Sequence, residues 1–171
     1  MTRVVVLEIE QCMASSAAIT YDVIATANRI SRNGSRPDPF EVKTIRCGHR
    51  RSDIALDDAD LIIVPGLGVS SADELDAKLS SPACRRAISI LAEAFEDGVN
   101  LAASCASTFL LAEAELLDGR RATTTWWLAP EFGRRYLNVE LLTDRMVLAD
   151  WPIATGGAAM AQMDLMLAVL G

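Results

Sequence analysis

Apolar residues along the chain fall into two alternating kinds of run. Short stretches, the unbroken Val4-Val5-Val6-Leu7 and Leu61-Ile62-Ile63-Val64 and the largely apolar Val99 to Ala103, are too brief for helices. They read as strands buried on both faces, as in a parallel sheet. Between them apolar residues recur at helical spacing. One such series runs through Ile19, Val23, Ile24 and Ala27 to about Ile30, a second through Ile88, Leu91 and Phe95, and a third through Phe109, Leu110, Ala112, Leu116 and Leu117.

Local signals divide these runs. Ser15 or Ser16 is placed to cap the first helix and Asn33-Gly34 to end it. After Pro37 and Pro39, Phe40 to Ile45 alternates as a strand, and residues 48–60 are polar enough for a loop or a minor strand. Helices are expected over Ser71 to Leu79 and Pro82 to Glu96, the second with Pro82 in its first turn and Gly98 past its end. Beyond the turn Asp118-Gly119 the pattern predicts a short strand from Ala122 to Thr125 and a helix from Trp126 to about Tyr136. Short strands then follow at Val139–Leu142, Met146–Leu148 and Ile153–Thr155, with a closing helix over Ala159 to Leu170. Met160, Met163 and Met166 read as core packing in that helix. Strands alternating with helices imply an α/β three-layer sandwich, a mostly parallel sheet with helices on both faces. With 171 residues and half of them apolar, one domain across residues 1–171 is expected.

Charge narrows the partners. A net charge of −7 and an isoelectric point near 4.7 argue against a surface that grips nucleic acid by itself. The pairs Arg50-Arg51, Arg85-Arg86, Arg120-Arg121 and Arg134-Arg135 are scattered among acids. The four cysteines, Cys12, Cys47, Cys84 and Cys105, contain no Cys-x-x-Cys pair, and His49 is the single histidine, so tetrahedral zinc spacing is absent. The expectation is no metal and no cofactor. No signal peptide and no span of about twenty apolar residues is present, which points to a reducing cytoplasm and away from a membrane.

The candidate chemistry centres on residues 98–121. Cys105 falls where the strand Val99–Ala103 turns into a helix, and its neighbours Ala103, Ser104, Ala106 and Ser107 are all small, as a crowded turn requires. This is the logic of a nucleophile elbow with sulfur in place of the hydroxyl. Helix N–H groups ahead of such a thiol favour the thiolate; the alternative is one more small buried cysteine. The turn Gly66-Leu67-Gly68 lies at the carboxyl end of its strand, where open parallel sheets place their sites. Its N–H groups suit an oxyanion pocket or an ordinary turn.

Taken together, Val64-Pro65-Gly66, the stretch from Ala103 to Trp127, and Thr155 to Leu165 resemble the ThiJ/PfpI family, within the class I glutamine amidotransferase-like fold. More narrowly they resemble the branch at the N-terminus of AraC-type transcriptional regulators, which Asp22-Val23 and Ala27-Asn28 also match. The resemblance implies a flavodoxin-like sandwich that pairs into homodimers and acts as a sensor or dimerisation module. DNA would be bound by a C-terminal pair of helix-turn-helix motifs outside this chain. It also implies Cys105 at the elbow with Gly66 and Leu67 on its oxyanion side. Two departures stand out: Ser16 occupies the position of the enzymes' carboxylate, and Thr125 that of a histidine. Glu8, Glu10 and His49 read as strand-end or solvated groups rather than replacements.

The expected function is thus a ligand-sensing, dimerising domain without catalysis. Its small-molecule effector would lie in a crevice lined by Ser16, Gly66, Leu67, Cys105, Ala106, Thr125 and Trp126, with Trp127 alongside. The alternative is a stand-alone cysteine-dependent hydrolase, hydratase or glyoxalase-like enzyme, in which Cys105 is catalytic. A third reading makes Cys105 a reporter of oxidation.

Overall fold

The unbroken apolar runs form the middle of a six-stranded sheet in the computed structural model, which describes residues 1–48 and 58–171. In chain order the strands of this sheet are β1 (Thr2–Ile9), β2 (Phe40–Cys47), β3 (Leu61–Val64), β4 (Asn100–Ser104), β7 (Val147–Asp150) and β8 (Ile153–Gly156). Two further strands, β5 (Arg121–Ala122) and β6 (Glu140–Leu141), pair with each other in a separate ribbon. The spatial order is β2-β1-β3-β4-β8-β7, parallel except for β7, which runs antiparallel to β8. Val4 is flanked by Val42 and Leu61, and Leu101 by Ile62 and Ile153.

Each strand sends alternate side chains to opposite faces, so one strand supplies two cores. Val4, Leu61, Ile63, Ala102 and Ala154 meet Ile24 of α1 (Ala14–Asn33) and Leu165 and Met166 of α6 (Ala161–Leu170). On the opposite face Val5, Leu7, Ile62, Val64, Leu101 and Ala103 meet α2 (Ala72–Leu79), α3 (Pro82–Glu96) and α4 (Thr108–Glu113). Covering both faces is why these strands carry no polar alternation; each fully buried Leu or Ile contributes about 1.5–3 kcal/mol. The three-layer α/β sandwich expected from the pattern is therefore present.

Several boundaries differ from the sequence reading, each for a physical reason. Neither Ser15 nor Ser16 caps α1: the N-cap is Met13, and Ser16 lies inside the first turn with its hydroxyl turned to the interior. The helix after the elbow stops at Glu113, because Glu115 adopts a left-handed φ of 58° and reverses the chain; Leu116 and Leu117 still reach the core. Thr123–Thr125 lie outside the strand, which ends at Ala122, and polar groups of Thr123 and Thr124 bond across to other elements. Trp126–Leu128 are turn rather than helix, and α5 (Ala129–Arg135) begins after them. The closing helix starts at Ala161 and buries Ala161, Gln162, Leu165 and Met166. Met160 and Met163 consequently face solvent, and only Met166 of the three is core. His49, the Arg50-Arg51 pair and most of the 48–60 stretch lie outside the described residues. Among the described residues no helix is long and apolar enough to cross a membrane.

Candidate site at the cysteine elbow

Strand β4 ends in extended backbone at Ser104, and the next residue, Cys105, adopts a left-handed φ of 55°. For a residue with a side chain this conformation costs on the order of 1–3 kcal/mol and persists only where the surroundings enforce it. Here they do. Thr124 Oγ1 donates to the Cys105 carbonyl at 3.0 Å. The Thr108 hydroxyl lies within bonding range of the same carbonyl (2.9 Å) and of Thr124 Oγ1 (2.7 Å), sharing one proton between them. Ser107 Oγ donates to the Pro65 carbonyl at 2.6 Å, tying the elbow to the end of β3. A Cβ on Gly66 would sit 3.3 Å from the Cys105 Cβ, so the two turns approach more closely than a side chain at 66 fits without a shift of its neighbour.

The sulfur receives hydrogen bonds from the Ala106 N–H and the Thr125 hydroxyl, and both favour the thiolate. Burial outweighs them: Cys105 is 5% exposed, and desolvation pushes its thiol above the ordinary value. Burial thus opposes the thiolate that the helix N–H groups favour.

Next to the thiol a chain of buried polar side chains runs inward. The Gly66 N–H donates to Ser16 Oγ at 2.9 Å, and Ser16 Oγ lies 3.4 Å from Ser104 Oγ. Thr20 Oγ1 donates to the Ser16 carbonyl (2.9 Å), and Gln162 Nε2 donates to Thr20 Oγ1 (2.8 Å), so α6 is joined to the elbow through α1. All of these side chains are fully buried. Gln162 Oε1 has no hydrogen-bond partner among the described residues.

The fold thus gathers Ser16, Gly66, Cys105, Ala106 and Thr125 around one point. Leu67 is fully buried beside them, in an antiparallel bridge to Cys12. Trp126 is 76% exposed, while Trp127 packs partly against the core. Glu8 is engaged elsewhere, accepting from Tyr21 Oη (2.8 Å) and Arg46 Nε (2.9 Å). Sequence reasoning missed Thr108, Thr124 and Gln162. The threonine run 123–125 was a visible signal: Thr123 N–H bonds Thr155 Oγ1, Thr124 holds the elbow carbonyl and Thr125 holds the sulfur. Among the described residues no group of three His, Cys, Asp or Glu is placed to hold a metal ion.

With this geometry in place, the family profile described as DJ-1/PfpI matches residues 11–171. The chain belongs to the DJ-1/PfpI family. No curated protein matches it significantly. Among solved structures it is similar to an AraC family transcriptional regulator from Pseudomonas putida, with TM-score 0.74 and 18% identity over 99% of this chain and 91% of that one. A protein from Vibrio parahaemolyticus assigned as a transcriptional regulator aligns with TM-score 0.78 and 20% identity over 99% and 90%. DJ-1beta from Drosophila melanogaster aligns with TM-score 0.69 and 16% identity over 99% and 89%. At these identities the likeness is one of fold. The DJ-1/PfpI elbow of this chain holds a thiol whose ionisation burial opposes, a threonine hydroxyl beside it, and a glycine N–H already committed to a serine.

Proposed function

We propose that this DJ-1/PfpI domain is the ligand-sensing and dimerising part of a cytoplasmic AraC-type transcriptional regulator and that it performs no catalysis. Its DNA would be bound by helix-turn-helix motifs outside residues 1–171, and its effector would enter beside Cys105, bounded by Gly66, Leu67, Ala106, Thr125 and the exposed Trp126. The observation that carries the reading is the hydrogen bond from the Gly66 N–H to Ser16 Oγ. An oxyanion pocket needs donors that await developing charge. Here the Gly66 N–H is already satisfied, and burial opposes ionisation of the thiol beside it. Similarity to solved regulator structures is consistent with the assignment. The test is a gel-shift assay of the complete gene product against its own upstream region. Specific binding that survives moderate salt is expected; purely non-specific binding overturns the reading.

One observation favours a second reading. The left-handed backbone at Cys105 is the kind of strain that collects at reactive sites, which suits a cysteine-dependent hydrolase, hydratase or glyoxalase-like enzyme. Turnover that disappears in Cys105→Ala would establish it.

A further inference from the structure

We propose that the outer face of α6 is the surface through which two copies of this chain pair, helix against antiparallel helix about a two-fold axis. The proposal gives a place to the dimerisation in the regulatory reading and rests on that reading.

The helix is apolar on both sides. Ala161, Gln162, Leu165 and Met166 are buried, the last two against Val4 and Ile24. On the opposite side the N-cap Met160, Met163 and Leu167 follow at helical spacing and are 72%, 43% and 59% exposed. Ala168 is exposed with them, and Asp164 is the single charged residue of the helix. A surface helix ordinarily turns a charged face to water, whereas one that is apolar all round is ordinarily buried. In a single chain only one side of α6 is covered.

The stripe continues at its amino end. The Gly157 N–H bonds the Met146 carbonyl at 2.7 Å, and a Cβ on Gly157 would lie 2.8 Å from the Arg145 carbonyl. Residues 145 and 146 therefore lie close to the chain just ahead of Met160. Met146 is 54% exposed, and the Arg145 guanidinium, also exposed, meets the neighbouring Asp144 at 3.9 Å.

Area and charge together select a second copy. Met146, Met160, Met163 and Leu167 leave roughly 500 Å² of surface open, near the upper end of what an ordinary monomer shows as a patch. With Asp164, Ala168 and Arg145 around them the face approaches the ~800 Å² that each partner gives to a standard interface. A chain of net charge −7 repels its own copy, so self-association needs a face with few acids, which this one has. Its two central charges are opposite and staggered along the helix. An axis passing between Met160 and Met163 sets Met160 of one protomer against Met163 of the other. Because the helices run antiparallel, the same axis brings Asp164 of each toward Arg145 of the other, and symmetry makes every such contact twice. Unbranched methionines repack easily across such a seam.

Sedimentation equilibrium of the whole chain tests this. At micromolar concentration the mass is expected to be twice 18.4 kDa. Met163→Glu should raise the dissociation constant about a hundredfold, as loss of a central contact does, while Leu137→Glu, at an exposed position outside the stripe, should leave it unchanged. Asp164→Arg and Arg145→Asp should each weaken the dimer and, combined, restore it. Far-ultraviolet circular dichroism checks that each variant is folded. A monomer up to millimolar concentration, the outcome if another protein or a membrane covers this face, would overturn the proposal. So would a dimer indifferent to Met163→Glu, or a charge swap no tighter than its single variants. No DNA is present, so a monomer here leaves the gel-shift result untouched, and a failed gel shift leaves the dimer standing.

Discussion

The two sides of the α1 amino end solve opposite problems with similar residue types. On the elbow side, Ser16, Thr20, Ser104, Thr108 and Thr124 are buried and bonded to one another or to backbone, and almost nothing points at solvent. On the β2 side, Glu8, Tyr21 and Arg46 also form a network, but its outer member faces an open cavity with donors unused. Closed networks in low dielectric fix geometry; open ones hold a charge ready for a partner. Residue type therefore does not tell a closed network from an open one; saturation of the donors does.

The comparison can be broken most severely beneath the elbow. Phe109 is fully buried, edge-on to Phe132 (4.9 Å) and Tyr136 (5.8 Å), and it anchors the helix that follows Cys105. Phe109→Ala should lower the urea-unfolding free energy by about 3–5 kcal/mol. A loss under about 1 kcal/mol would mean that the elbow is held without its aromatic support. Ser16→Ala is expected to lose about 1–3 kcal/mol, because the Gly66 N–H is left buried and unpaired. No change would show that this donor finds another acceptor. Thr124→Val removes one of two hydroxyls at the Cys105 carbonyl and should cost about 1 kcal/mol, read from the same unfolding curves.

A pH series addresses the thiol. Because burial raises the Cys105 pKa, the folded chain keeps a proton that the unfolded chain releases above the ordinary thiol value. That contribution to stability is present at neutral pH and is lost as the pH rises through the alkaline range. Iodoacetamide labelling, followed by peptide mass, should be slower at Cys105 than at a free cysteine at pH 7 and should rise only in alkaline solution. Faster labelling at pH 7 would reveal an activated sulfur. The smallest effect is expected across α1: Arg46→Gln should leave the unfolding curve almost unchanged, since its ion pair is exposed.

Much of the scaffold is legible from residue order. The unbroken Val4–Leu7 and Leu61–Val64 runs announce buried parallel strands, and Pro82 with Gly98 brackets α3. The small residues around Cys105 announce a sharp turn, which the positive φ there bears out. The threonine run 123–125 misleads, because β-branched residues suggest a strand while these three serve as side-chain donors and acceptors to the elbow and β8. Met160 and Met163 mislead too, since helical spacing alone does not say which face a terminal helix buries.

Hydrophobic periodicity and turn residues, which act over a few neighbours, determine the layers, the strand directions and the bend at Cys105. Whether that sulfur ionises, whether the Gly66 N–H is available and whether Arg46 faces open space depend on partners 16 to 88 residues away in sequence, a span shown by the Thr108–Thr124 and Ser16–Ser104 contacts. Those contacts exist only after the sheet has brought its strand ends together. Desolvation and donor saturation are properties of that assembled neighbourhood, and tertiary structure alone decides them.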